Sequence, residues 1–407
     1  MHLLRHGHLL HRKLVVILVA TLLWWMADFA VEFAFPTYLE GAGKSYLEIG
    51  LFISIAAAAG LLIDLPLGSL SDRVSKRRLM IAGLLIAVVS ASLIFHFRQN
   101  APLYLFFFVW GLAFQIWRVP RDAYFASHTD KLDRSQEYGL DMEVKYLGQS
   151  IGPLLAGFLL ASAGFSGIIG FYGFILVLAA CVLFFFLEET NHRPMKTALD
   201  TCVKEPFLKR SVNEVRSMGG SGVILLYFTL LFTAWEQTLL TFQPLFSGPD
   251  GLGLSPELGG LVMASFSILG IVLSFPAGKL ADRFGKRPVL TAGLLVMGMS
   301  LVMFSFSADL IHAVVFALLT SLGWALSMPA LFGLIIDLAE GHKKGCVAGV
   351  WDLFMDLGFV AGPLFGGFIC QFYGIKNAFL FMGFVFLAST LILHLDRNGS
   401  GRKRLSR

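Results

Sequence analysis

The chain has 407 residues, 56% of them hydrophobic and only 14% charged, where an ordinary soluble domain carries about 25% charged residues. Its mean hydropathy is +0.74 and its formal net charge +5, from 32 Lys and Arg against 27 Asp and Glu. This composition excludes a soluble globular enzyme, and the basic excess lies in loops between apolar runs, so it gives no indication of nucleic-acid binding.

Apolar runs of roughly 20 residues recur along the whole chain, each long enough to cross a bilayer core as a helix. They lack sustained two-residue alternation and are too long for strands, so the expected elements are helices. The first run, near 14–36, follows Arg5, Arg12 and Lys13 and resembles a secretory signal. It is too long for one, contains Asp28 and Glu32, lacks a small-x-small cleavage site, and is expected to remain as the first helix. Further helices are expected near 47–67, 79–97, 102–126, 143–163 and 168–187. A polar stretch, 188–221, carries Lys196, Lys204, Lys209, Arg210 and Arg216 and ends in Gly219-Gly220-Ser221-Gly222; it reads as a hinge between two bundles. A second set follows near 222–246, 257–277, 288–306, 310–336, 346–370 and 375–394, then a basic tail, 397–407. The expected architecture is all-α and integral to the membrane: twelve transmembrane helices in two six-helix bundles, 1–187 and 222–396.

Lys and Arg set the orientation. One side holds Arg73, Lys76, Arg77, Arg78, Lys131, Arg134, the linker, Lys279, Arg283, Lys286, Arg287, Lys343, Lys344 and the tail. The other holds only Lys44, Arg98 and Lys376. The positive-inside rule then places both termini in the cytoplasm, which requires an even number of spans, in a multi-pass protein of the cell membrane that meets anionic lipid. The four cysteines, Cys181, Cys202, Cys346 and Cys370, show no metal spacing, and burial is the expected role of most. His2, His6, His8 and His11 read as interfacial basic character rather than a metal site. With no phosphate-binding loop and no Gly-x-Ser-x-Gly elbow, neither an enzyme, a metal nor a cofactor is expected, and energy should come from an ion gradient or the substrate's own.

The two halves repeat one another. Pro66, Gly68 and Asp72 recur 210 residues on as Pro276, Gly278 and Asp282, and Gly152-Pro153 recurs at the same displacement as Gly362-Pro363. Pro120 finds Pro329, Pro36 finds Pro244, and Asp28 falls opposite Glu236. So many pairs at a near-constant shift imply two halves of common design and the same orientation, related by an axis along the membrane normal, with a substrate site between them near mid-membrane.

The loop motifs carry a resemblance over essentially the full chain. Gly68, Leu70, Asp72, Arg73, Lys76 and Arg77 match the signature Gly-x-Leu-x-Asp-Arg-x-Gly-Arg/Lys-Arg/Lys of the major facilitator superfamily, with Ser75 at the second glycine. Gly278, Leu280, Asp282, Arg283, Gly285, Lys286 and Arg287 form a fuller second copy. The glycines allow close helix approach, the aspartates suit the positive end of a helix in the other half, and the basic residues suit carboxylates or anionic lipid. Asp122 is a partner expected for Arg73. Gly148, Gly152, Pro153 and Gly157, with Gly358, Gly362, Pro363, Gly366 and Gly367, offer smooth packing faces with a proline bend. In helix 5 this resembles the motif of drug/proton antiporters, although the arginine which those proteins carry in helix 4 is replaced here by Phe107.

Ionisable residues inside spans are functional candidates. Asp28 and Glu32 stand one turn apart with Trp24 one turn before, so all three share a face. Two such carboxylates in a low-dielectric setting resist double ionisation, and the pair is expected to exchange a proton. Glu236, beside Trp235, has no evident local cation. Arg118 pairs with Asp122 four residues on, or with Arg121 holds an anionic substrate group; Asp352 and Asp356 form another one-turn pair, Asp356 the deeper. The expected function is alternating-access secondary transport, favouring proton-coupled efflux of small amphipathic or drug-like molecules by a monomer. The rivals are transport of a polar anionic metabolite clamped by the two arginines, and a non-transporting sensor on the same fold.

Overall fold

The computed structural model describes residues 12–71, 74–128, 134–187, 207–340 and 344–404, and within these ranges it describes the backbone alone at 12–13, 65, 69, 126, 128, 134–138, 207–214, 217, 339–340, 344–346, 348 and 395–404. The first half contains α1 (Arg12–Gly41), α2 (Tyr46–Ser71), α3 (Lys76–His96) and α4 (Asn100–His128). The element Arg134–Phe186 turns at Gly164 (φ 62°, ψ −160°). Its apolar part, Gly139–Phe186, has 48 residues, or roughly 70 Å of helix against a core of about 30 Å, so it crosses twice. Its two arms are α5 (134–163) and α6 (165–186). The second half contains α7 (Phe207–Ser247), α8 (Pro256–Phe284), α9 (Lys286–Ser305), α10 (Leu310–Glu340), α11 (Lys344–Tyr373) and α12 (Ile375–Arg404).

These helices match the expected spans, with one correction. Residues 207–218, placed in the polar linker by sequence, are helical and join α7 across a turn at Gly219 (φ 67°, ψ −167°). Val215 and Met218 pack on the bundle while Arg216 stays exposed, so the segment has one apolar side to bury. Prolines 36, 66, 120, 153, 244, 276, 329 and 363 all sit inside helices, as membrane helices tolerate. Phe174, Phe185, Phe275 and Ile311 are mostly exposed, forming part of the apolar belt that lipid would cover.

The repeat appears in the packing. Gly148 and Gly152 of α5 lie on the α1 backbone at Trp25–Met26 and Met26–Ala30, and Gly358 and Gly362 of α11 lie on α7 at Leu230–Thr233 and Ala234. Gly366 continues this seam against Thr238 and Phe242. Between the halves, Gly50 of α2 meets the Pro363 carbonyl of α11, and its counterpart Gly260 of α8 meets the Pro153 carbonyl of α5. Gly157 meets Pro256, and Gly367 meets Tyr46 in the same paired fashion. These four contacts lie toward the face opposite the basic loops and close it with backbone against backbone. Tyr46 Oη donates to Asp250 across the same face (3.1 Å).

The signature loops on the basic face differ in state. Asp72 and Arg73 lie outside the described residues. A side chain at Gly68 would meet nothing within 4 Å, and one at Gly278 only Pro329 of its own half, at 3.9 Å. Asp282 is exposed and makes no hydrogen bond or ion pair among the described residues. The basic residues brace their own bundles. Arg77 donates to the carbonyls of Phe184 (3.3 Å) and Leu187 (3.1 Å) at the end of α6, and Lys286 reaches Gly333 O (3.1 Å) and Asp337 (2.7 Å) on α10. Arg283 lies over Phe284, while Lys76 and Arg287 are half-buried. The two loops are also built differently: Ser75 Oγ caps α3 by accepting from Arg78 N (3.4 Å), whereas Gly285 takes φ 96° between α8 and α9. Among the described residues Asp282 makes no contact with the other half.

Candidate functional site

A cavity of about 440 Å³ lies between the halves. α1 supplies Trp25, Asp28, Phe29 and Glu32; α4 supplies Trp110, Phe114, Trp117, Arg118, Arg121 and Phe125; α5 supplies Asp141 and Lys145. The second half adds Glu236 and Gln237 from α7, and Asp352, Met355, Asp356 and Phe359 from α11. Asp122, Phe125 and Asp141 lie near the basic-loop ends of their helices, so the cavity runs toward that face while glycine seams close the other.

The three cations in the wall are all neutralised. Lys145 Nζ lies 2.8 Å from Glu236 Oε1 and 5.5 Å from the Trp25 ring centroid. Arg118 binds Asp64 Oδ2 of α2 and Gln115 Oε1, both at 2.6 Å. Arg121 binds Asp122 (2.7 Å) and Asp141 and donates to Thr21 Oγ1 (3.1 Å). Thus Arg118 does not pair with Asp122 as its four-residue spacing suggested, because Arg121 holds that carboxylate and Asp64 offers Arg118 another. Asp122 is accordingly engaged within its own helix, and no contact to Arg73 is described.

Four cavity carboxylates carry no ion pair among the described residues: Asp28, Glu32, Asp352 and Asp356. Asp28 is 4% exposed and its Oδ1 has no hydrogen-bond partner. Gln237 stands beside Glu32. The cavity therefore offers aromatic walls around unpaired acidic groups, the surroundings that an organic cation requires.

Of the residues singled out by sequence, Asp28, Glu32, Arg118, Arg121, Glu236 and Asp356 all meet in this cavity. Trp24 does not; it is fully buried and stacks on Trp117 (4.5 Å, 10°), leaving Trp25 to face the cavity. Trp235 lines a separate chamber of about 20 Å³ with Glu236, Tyr146, Gln149 and Trp324. Phe107, at the antiporter arginine's place, packs among Phe35, Phe52 and Trp110. Sequence reasoning missed Asp64, Asp141 and Lys145. Cys370 is buried and Cys181 exposed, while the side chains of Cys202 and Cys346 lie outside the described residues. The histidines His2, His6, His8 and His11 lie outside them too.

Comparison with known proteins agrees with this fold. An MFS-type transporter of Methanocaldococcus jannaschii, MJ1560, is 23% identical over 364 residues, 88% of this chain and 91% of its own length. The quinolone resistance protein NorA of Staphylococcus aureus is 28% identical over 147 residues, 35% of this chain and 38% of its own. Among solved structures, a POT family transporter bound to a thioalcohol-conjugated peptide superposes with TM-score 0.76 at 12% identity (95% and 96% of the chains covered). The human organic anion transporter MFSD10 gives 0.65 at 18% (94% and 99%). These likenesses share the fold. The sequence profile of the Major Facilitator Superfamily matches residues 16–255 and 239–406, nearly the whole chain: the protein is a membrane transporter belonging to that superfamily.

Proposed function

We propose that the protein is a proton-coupled exporter of small amphipathic cations, working by alternating access between its two halves. The observation that carries this reading is the charge balance of the cavity: each cation in its wall is already paired, while Asp28 stands buried with an unpartnered oxygen. A proton or a cationic group can neutralise Asp28, and the two compete, which supplies exchange. Glu32, one turn away, shares that role. The same balance disfavours the anionic-metabolite reading, because Arg118 and Arg121 would have to abandon Asp64, Asp122 and Asp141 to bind an anion. The partial likeness to a quinolone resistance protein supports drug-like cargo.

The basic-loop face is read as cytoplasmic, with both termini on that side, so this conformation opens to the cytoplasm and its outer face is sealed. The test is flux in proteoliposomes under an imposed pH gradient, with N-methyl-4-phenylpyridinium as the probe. Probe movement against the proton gradient is expected from the wild type and not from Asp28→Asn. Gradient-driven flux that survives Asp28→Asn refutes the coupling role.

A further inference from the structure

Packing registers the two halves residue by residue. Gly148 on Trp25–Met26 and Gly152 on Met26–Ala30 correspond to Gly358 on Thr233 and Gly362 on Ala234. This alignment matches Asp28 with Glu236, and Lys145 with Met355. All four side chains line the same cavity. The pair Lys145–Glu236, joining α5 to α7, therefore has the positions Met355 on α11 and Asp28 on α1 as its pseudo-twofold mate. One member of each pair is a carboxylate. Only one pair has a cation.

From this asymmetry, and resting on the cation reading above, we infer that Lys145 is a tethered cation that fills one of two repeat-related cation sites, and so disfavours a second positive charge on the cargo. The surroundings of its ammonium show what such a site consists of: Glu236 Oε1 at 2.8 Å and the Trp25 ring at 5.5 Å. A carboxylate beside an aromatic face is also what a desolvated organic cation needs. At the mate position Asp28 is 4% exposed with Oδ1 unpartnered, and the thioether of Met355, which accepts from Trp351 Nε1 (2.6 Å), brings no charge. The cargo's positive group would stand there as Lys145 stands at Glu236. Lys145 is then a specificity-determining residue. Of the two repeat-related carboxylates it occupies Glu236 and leaves Asp28 vacant, so a second positive charge on the cargo meets a Glu236 already taken.

The test uses two probes of matched shape, N-methyl-4-phenylpyridinium with one charge and 1,1′-dimethyl-4,4′-bipyridinium with two. Binding to the purified full chain is followed by quenching of tryptophan fluorescence. Lys145→Met is expected to tighten dication binding by at least about tenfold, the scale of one charge-assisted contact. The double variant Lys145→Met/Glu236→Gln is expected to lose that gain. Independently, Met355→Lys places a second tethered cation against Asp28 and is expected to weaken monocation binding by at least about tenfold, which keeps the inference testable if Lys145→Met fails to fold. Wild type that binds the monocation, with no dication gain in folded Lys145→Met or no loss in Met355→Lys, overturns the tethered-cation assignment alone. Wild type that does not bind the monocation overturns the cation reading, and the assignment with it.

Discussion

Replacing Gly157 or Gly367 by alanine perturbs the seal opposite the basic loops. A Cβ at Gly157 would stand 2.5 Å from Pro256 O and 2.9 Å from Glu257 Cα. At Gly367 it would stand 2.7 Å from Tyr46 O and 3.3 Å from Leu47 Cα. Close carbon–oxygen approaches between helices settle near 3.3–3.6 Å, and the atoms struck are backbone, which cannot rotate aside. The helices must part by roughly half an ångström or more, an overpacking penalty of about 1–3 kcal/mol. Alanine's better helix propensity acts in both conformations and cancels. In the outward-open conformation that the proposed alternating access requires, α5 would leave α8 and α2 would leave α11 on this face, so the penalty would fall on the sealed state alone. Each substitution should then shift the equilibrium about 5- to 150-fold toward opening. The two sites lie on separate helix pairs, so their effects should add. Spin labels at the exposed repeat mates Arg98 and Ala308, one in each half on this face, in a cysteine-free background, report the shift by electron–electron double resonance. A longer-distance population growing from wild type through the singles to the double is expected. Identical distributions in all four folded proteins refute the reasoning.

Other consequences follow from the same geometry. Arg118→Ala leaves Asp64, which is 27% exposed, without its cation, and should lower thermal stability in detergent by about 1–3 kcal/mol. Adding Asp64→Asn should recover part of the loss, and a double variant no better than Arg118→Ala contradicts the pairing. Trp324 Nε1 donates to Tyr146 Oη across the halves at 3.1 Å, so a double-mutant cycle with Trp324→Phe and Tyr146→Phe should yield a coupling of about 1 kcal/mol, as a single hydrogen bond does. Asp309, in the loop before α10, accepts from the backbone N of His312 at 2.9 Å, and that bond holds its carboxyl below the usual range. The stabilisation it lends is thus present above the ordinary carboxylate value of about 3.9 and lost as pH falls through the lowered one. A carboxyl-detected NMR titration should find its midpoint below about 3.9, and a midpoint at or above that value removes the cap.

The fold was legible because span length and loop charge are local properties, and the repeat is written as prolines and glycines at fixed displacements. Gly50, Gly157, Gly260 and Gly367 show why those displacements exist: each lets a helix lie on backbone of the other half. The site was half legible. Asp28, Glu32, Glu236 and Asp356 stand out as charges within apolar runs, but their partners do not follow from spacing. Lys145 is 91 residues from Glu236 and Asp64 is 54 from Arg118, and only the packing of helices brings them together. Trp24 and Trp25 show another limit. Adjacent helical residues point about 100° apart, and the one-turn spacing to Asp28 selected the tryptophan that packs on Trp117 instead of the one in the cavity. The mate of Lys145, Met355, was present in the repeat, yet its meaning needed the cavity to show that both face one space.

Proton release on cargo binding tests the central claim most directly. Purified protein in weakly buffered detergent is mixed with N-methyl-4-phenylpyridinium near neutral pH while the pH is recorded. Competition for Asp28 predicts that wild type releases protons as the cation binds and that Asp28→Asn releases fewer. Saturable binding without proton release, or release unchanged in Asp28→Asn, contradicts the account.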